Sequence, residues 1–159
     1  MTKEQIDLII RIEVDKLKEE IIKKHDELGM RASGNFAKTT TVEQEGTKTS
    51  ITAPDYAEQM IQGSPPGTKV GISKIIKWIE DKGIEPLIKD MDTSVLAKLI
   101  VAKINKEGTK AFREGGTDLL DSVVTPQRIQ KILDVVGIDY TDSITKDIQK
   151  MYQEIKLSA

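Results

Sequence analysis

The chain has 159 residues, 38% hydrophobic and 31% charged, which suits one soluble domain with a real core and is too short for two comfortable ones. Its 24 Lys and Arg against 26 Asp and Glu leave a net charge of −2, without the basic excess that marks most nucleic-acid readers. Cysteine is absent and His25 is the one histidine, which excludes disulfides and thiolate zinc sites and removes most catalytic and metal-binding constellations.

Residues 1–28 predict one long amphipathic helix. Ile6, Ile10, Val14, Leu17, Ile21 and Leu28 form an apolar seam, widened by Ile9, Ile12 and Ile22. Thr2, with Glu4 and Gln5 behind it, starts the helix, and Gly29 stops it. The alternating charges of KLKEEIIKKHDE fit a surface laced with ion pairs three and four residues apart. His25 sits among these charges, on the expected polar side, and is read as solvated. Charges interrupt the apolar residues of MTKEQIDLIIRIE and no small-residue cleavage site follows, so no signal peptide and no membrane passage are expected. A helix this long exceeds what one small core covers and points to packing against a neighbouring subunit.

Threonine and β-branched residues in AKTTTVEQEGTKTSITA, with a turn at Glu45-Gly46, predict a β-hairpin of strands 37–44 and 47–53. Val42 and Ile51 are its few large apolar side chains, so one face is expected to meet solvent or another chain. Helices must cover the rest, because a lone hairpin is marginal.

Next come a short helical turn in DYAEQMIQG, capped by Asp55 and ended by Gly63, and a Pro/Gly loop. ISKIIKWIEDKG then places Ile72, Ile75, Ile76 and Ile79 on one side with Trp78 beside them, stopping at Gly83. DTSVLAKLIVAKINKEG places Leu96, Leu99, Ile100 and Ile104 on a face between an Asp92 or Thr93 cap and Gly108. After the loop GTKAFREGGTD, Thr125 and Pro126 open a helix through TPQRIQKILDVVG. A separate final helix, about 141–156, carries Ile144, Ile148, Met151 and Ile155. The expectation is a single α+β domain over 1–159: a small antiparallel hairpin packed by helices in a core over 37–125, with a long N-terminal helix and a helical C-terminus over 126–159.

GSPPGTK, residues 63–69, invites comparison with the phosphate loop G-x-x-x-x-G-K-[ST]. Gly67 is followed by Thr68, Lys69 and Val70, so the lysine is one place late and no hydroxyl follows it for magnesium. Pro65 and Pro66 remove two backbone donors, and DYAEQMIQ is no buried strand. The stretch reads as a rigid turn. The acid pairs Asp118 with Asp121 and Asp139 with Asp142 read as helix starts rather than as an acid and base. Lys110 and Arg113, either side of Phe112, are candidates for touching a nucleic-acid backbone, although the preferred reading is a solvated loop with Phe112 tucked into the core. Trp78 and Tyr56 read as packing anchors.

HDELGMRASGNFAKTTTVE, APDYAEQMIQGSPPG, KIIKWIEDKGI and LIVAKINKEGTKAFREGGTDLLDSVV follow one another in an order that resembles the tail-component proteins (tail-completion or neck) of tailed bacteriophages. The wording is most like versions from Bacteroidetes-infecting, crAss-like phages. Ser33, Gly34 and Phe36, then Tyr56, Gly63 with Pro65 to Gly67, Trp78 with Lys82 and Gly83, and Ala97 to Gly108 carry the resemblance, over about residues 20–125. The second proline and Lys69 depart from the pattern and make the loop more ATPase-like than is usual in that family. The resemblance implies a non-enzymatic, cofactor-free virion protein, assembled in the host cytoplasm and located in the neck or tail. It would form a homo-oligomeric ring that touches portal, connector or tail proteins and passes DNA without sequence specificity.

On that reading Val42, Ile51, Tyr56, Gly63, Pro65, Pro66, Gly67 and Lys69 are the interface candidates, and Lys110 and Arg113 the candidates for a DNA channel. Two alternatives remain beside it: a small nucleotide-dependent phage enzyme using the 63–69 loop, and a DNA-binding accessory protein.

Overall fold

The computed structural model describes residues 2–46 and 48–157. The protein is α+β, with helices α1 (Lys3–Glu27), α2 (Asn35–Thr39), α3 (Ala57–Gln62), α4 (Ile72–Lys82), α5 (Thr93–Glu107), α6 (Lys110–Arg113) and α7 (Pro126–Leu157). Between α2 and α3 lie strands β1 (Thr41–Glu45) and β2 (Lys48–Thr52), paired antiparallel as a two-stranded sheet.

The ends of α1 follow from their residues. Thr2 accepts from the Gln5 backbone while the Gln5 side chain accepts from the Thr2 backbone, a reciprocal cap. At the other end Met30 donates to the His25 carbonyl and Gly29, at φ 67°, donates to that of Asp26, so the last carbonyls are satisfied around a left-handed glycine.

The hairpin is shorter than expected. Residues 37–39 belong to α2, because Phe36 is buried and the Thr39 and Thr40 hydroxyls donate to the carbonyls of Asn35 and Phe36. Local hydroxyl-to-backbone bonding and burial of Phe36 override the strand preference of threonine. Thr47, within the second predicted strand, lies outside the described residues. Val42 stands directly opposite Ile51, and β1 and β2 both pack on α1. Val42, Gln44, Thr49 and Ile51 form the half-buried face; their alternating neighbours are exposed. The Gln44 amide donates to the Asp7 carbonyl at 2.9 Å, which fixes the sheet along α1.

The core joins Leu17 and Ile21 of α1 to Phe36, Ala57 and Leu119, with Ile51, Met60, Val123 and Ile132 around them. Complete burial of a side chain such as Leu119 contributes about 1.5–3 kcal/mol. His25 is a correction: it is buried, only 3% exposed, and its ring stacks on Phe36 with centroids 4.4 Å apart. Helix periodicity puts it four residues beyond Ile21, on the seam, and the charges around it in sequence point elsewhere.

Helices α4 and α5 pack against each other, burying Ile79 and Ala97. The link between them exposes Leu87 completely and Ile88 by 64%. At the far end of the chain, α7 is one continuous helix rather than two. Gly137 is an interior helical position and the Thr141 hydroxyl donates to its carbonyl, so a lone glycine, worth about 1 kcal/mol, does not break the run. Asp139 and Asp142 therefore lie mid-helix, away from the end whose dipole they were read to oppose; the side chains of Asp139 and Ile155 lie outside the described residues. Asp118 and Asp121 sit in a turn before α7, and Asp118 pairs with Lys24 of α1 at 3.0 Å. Arg128, 14% exposed at its side chain, locks α7 to α1 through a fork on Glu20 and lies 3.6 Å from Glu13.

Candidate functional site

The 63–69 loop is fastened to the turn between α5 and α6. Gly63 ends α3 at φ 80° by donating to the Gln59 carbonyl. The Ser64 N–H donates to the Thr109 hydroxyl and the Thr109 N–H returns to the Ser64 carbonyl, both at 2.9 Å. Gly67 donates to the Asn105 carbonyl at 2.7 Å, and Thr68 to that of Pro65. Two glycines permit this approach. A Cβ on Gly63 would lie 2.2 Å from the Phe112 nitrogen, and one on Gly108 would lie 2.8 Å from the Ser64 carbonyl oxygen. A phosphate cradle needs converging free N–H groups. Here Gly63, Ser64, Gly67 and Thr68 all donate within the chain, and Pro65 and Pro66 have no donor.

This junction forms one wall of a groove of about 790 Å³, closed on its other sides by the end of α1 and by α3, α4 and α5. Met30, Met60, Ile75, Trp78, Ile100 and Ile104 make its floor largely apolar. Its rim carries Lys82, Lys103, Lys110 and Arg113 against Glu114 and Asp118, a balance of four cations to two anions. Lys82 donates to the Gly29 carbonyl and stands 6.0 Å from the centroid of Trp78, joining the ends of α1 and α4 across the groove. Thioether and aromatic surfaces of this kind adapt to apolar partners.

The sequence-predicted residues divide among four places. Gly63, Lys110 and Arg113 line the groove, while Pro65, Pro66, Gly67 and Lys69 are exposed on the loop behind it. Tyr56 lines a smaller adjoining pocket that shares Met30, Met60 and Trp78, and its hydroxyl accepts from the Asn35 amide at 3.1 Å. Val42 and Ile51 are apart from both, on the hairpin face toward α1. Lys110 and Arg113 are answered within the chain, by Glu114 at 3.8 Å and Glu107 at 2.7 Å. Phe112 is 42% exposed rather than tucked into the core.

The groove's apolar floor was missed as a unit, because its residues come from three helices, α3, α4 and α5, and from the segment that follows α1. The available signal was that α5 carries apolar residues on more faces than α4 alone can cover: Leu99 and Val95 remain exposed beside half-buried Ile100 and Ile104. A second missed surface is the outer half of α7, where every described side chain from Thr141 to Met151 is exposed, including Ile144, Ile148 and Met151. Among the described residues no group of three or more His, Cys, Asp and Glu is placed to hold a metal, and no helix is long and apolar enough to cross a membrane.

Comparison with family models, characterised proteins and solved structures finds no match to this chain.

Proposed function

We propose that this chain is a structural subunit that works by self-association: a ring-forming head–tail joining or tail-completion protein in the neck or tail of a tailed-phage virion. The assignment to that class rests on the ordered motifs from His25 to Val124, which resemble those of phage tail components. The observation that carries the self-association reading is the pairing of two apolar surfaces left open in one chain, the groove around Trp78 and the outer stripe of α7. Contiguous exposed apolar surface of this kind marks association sites. The resulting partners are other copies of the chain and the portal, connector or tail proteins above and below the ring.

The nucleotide-enzyme alternative finds little support in the 63–69 loop, where the N–H groups of Gly63, Ser64, Gly67 and Thr68 are engaged internally. The DNA-binding alternative draws on Lys110 and Arg113, each already facing an acid of its own chain. Exposed pairs of that kind contribute about 0–1 kcal/mol and leave little net charge for a phosphate.

The test is a protein inventory of purified virions of the phage that encodes the chain. The proposal predicts the chain in the particles at a fixed multiple of the portal's copy number. Particles that lack it would overturn the assignment.

A further inference from the structure

We infer that the smaller pocket adjoining the Trp78 groove binds a small aromatic acid that carries a hydroxyl group, with His25 reading the hydroxyl and Lys74 the carboxylate. The inference goes beyond the self-association reading and does not depend on it.

The pocket, of about 340 Å³, is bounded by the end of α1 and by α2, α3 and α4. That volume is at the low end for ligand sites and suits a ligand of one ring. Met30, Phe36, Met60 and Trp78 form its apolar walls, thioether and aromatic surfaces that pack well against a planar ring.

His25 supplies the polar group at the inner wall. Its Nδ1 lies 3.2 Å from Asp26 Oδ1, and one face of its ring is stacked on Phe36. Asp26, which also meets Arg31 at 3.2 Å, is ionised near neutral pH and can only accept a hydrogen bond. In the neutral ring Nδ1 therefore carries the proton, and Nε2 presents a lone pair. Nε2 has no hydrogen-bond partner among the described residues. It is also not one of the atoms sealed from solvent without a partner, which among those residues are Thr49 Oγ1, Thr117 Oγ1 and Arg128 Nη1. Although His25 is only 3% exposed, its Nε2 edge thus stays open, and the space it opens to is the pocket that the residue lines. An acceptor held in so buried a setting without a partner is costly, and a donor on a bound molecule removes that cost.

Two further groups define the ligand. The Tyr56 hydroxyl accepts from the Asn35 amide at 3.1 Å, which leaves its own proton for an oxygen in the pocket. Among the charged side chains of the wall, Lys77 is answered by Asp81 at 3.2 Å. Exposed Lys74 has no acidic partner among the described residues, so the mouth of the pocket carries one uncompensated cation. An apolar slot with an acceptor inside and a free cation at its mouth is complementary to a ring bearing a hydroxyl and a carboxylate.

The test is titration of the full chain with para-hydroxybenzoate, beside benzoate and phenol, which lack the hydroxyl and the carboxylate in turn. His25 is the chain's one histidine and Trp78 its one tryptophan, so the imidazole nitrogen resonances and the indole emission each report a single position. Para-hydroxybenzoate should bind saturably, with a Kd of about 1 mM or below, moving the His25 Nε2 resonance and the Trp78 emission along one curve. Benzoate and phenol should each bind at least about tenfold more weakly. Lys74→Gln, a change at an exposed side chain, should weaken para-hydroxybenzoate about tenfold and leave phenol unaffected.

Absence of saturable para-hydroxybenzoate binding would overturn the inference. So would binding that alters Trp78 emission while the His25 resonance stays in place, because the ligand would then lie in the larger groove. Benzoate binding as tightly as para-hydroxybenzoate, or a Lys74→Gln chain that binds like the parent, would remove an assigned contact and with it the assigned class of ligand. These outcomes are separate from self-association, which the size of the unliganded chain reads on its own.

Discussion

At Gly63 and Gly67 the backbone holds φ near 80°, yet the two glycines face different surroundings. A methyl group on Gly63 would strike the Phe112 backbone, whereas one on Gly67 would meet nothing within 4 Å. Gly67→Ala is therefore expected to cost only the left-handed strain, about 1–2 kcal/mol, and Gly63→Ala at least twice that, because the α3–α6 junction must open. Urea denaturation of the two variants measures the difference. Glu13 provides a second residue-scale expectation. Its carboxylate lies below the ordinary glutamate range because Lys16 donates to it at 2.6 Å and Arg128 adds positive charge, against the opposing effect of burial. A carboxylate lowered in the folded state stabilises the fold above its unfolded value of about 4.3 and loses that contribution as pH falls through the folded value. Asp26, lowered first by its His25 contact and then by Arg31, acts in the same direction. Thermal stability should fall as pH drops below about 4.3, and Glu13→Gln should flatten that decline without abolishing it. An unchanged pH profile in the variant would show that the Glu13 cluster carries no linkage.

Among the elements, those with strong caps and stops are where their residues place them. Thr2 with Gln5, Asp92 with Ser94, and Thr125 with Arg128 each make the cap hydrogen bond that their spacing implies, and Gly29 and Gly83 end α1 and α4 in left-handed conformation. Boundaries set by tertiary contact were not legible. The 37–39 segment becomes helix because Phe36 reaches the core, which strand propensity does not register. The break expected at Gly137 is absent because nothing there demands a positive φ. That absence yields an expectation: Gly137→Ala should stabilise α7 by about 1 kcal/mol, since a Cβ meets nothing within 4 Å. A rise in melting temperature, followed by helical circular dichroism, would agree with the continuous helix. A fall would mean that the glycine serves a turn.

For the whole molecule, the hairpin and α7 are organised by α1, and the groove by the contact of α4 with α5 and the glycine-locked junction. The length of α1 led to the expectation of a neighbouring subunit; the apolar side chains left exposed are spread over α7, α5, the α4–α5 link and the surroundings of Trp78. α1 itself is largely covered by the sheet and by α7, apart from exposed side chains such as Leu8 and Ile12. The loop 63–69 was legible as a rigid turn from its residue order alone, and its role as the clasp for α6 was not, because Thr109 and Asn105 lie some forty residues away. The central claim is that this chain functions by binding copies of itself, and sedimentation velocity of the full chain over a wide concentration range tests it most directly. The account predicts species growing from the 17.7 kDa subunit toward a closed oligomer as concentration rises; a single 17.7 kDa species throughout would contradict it.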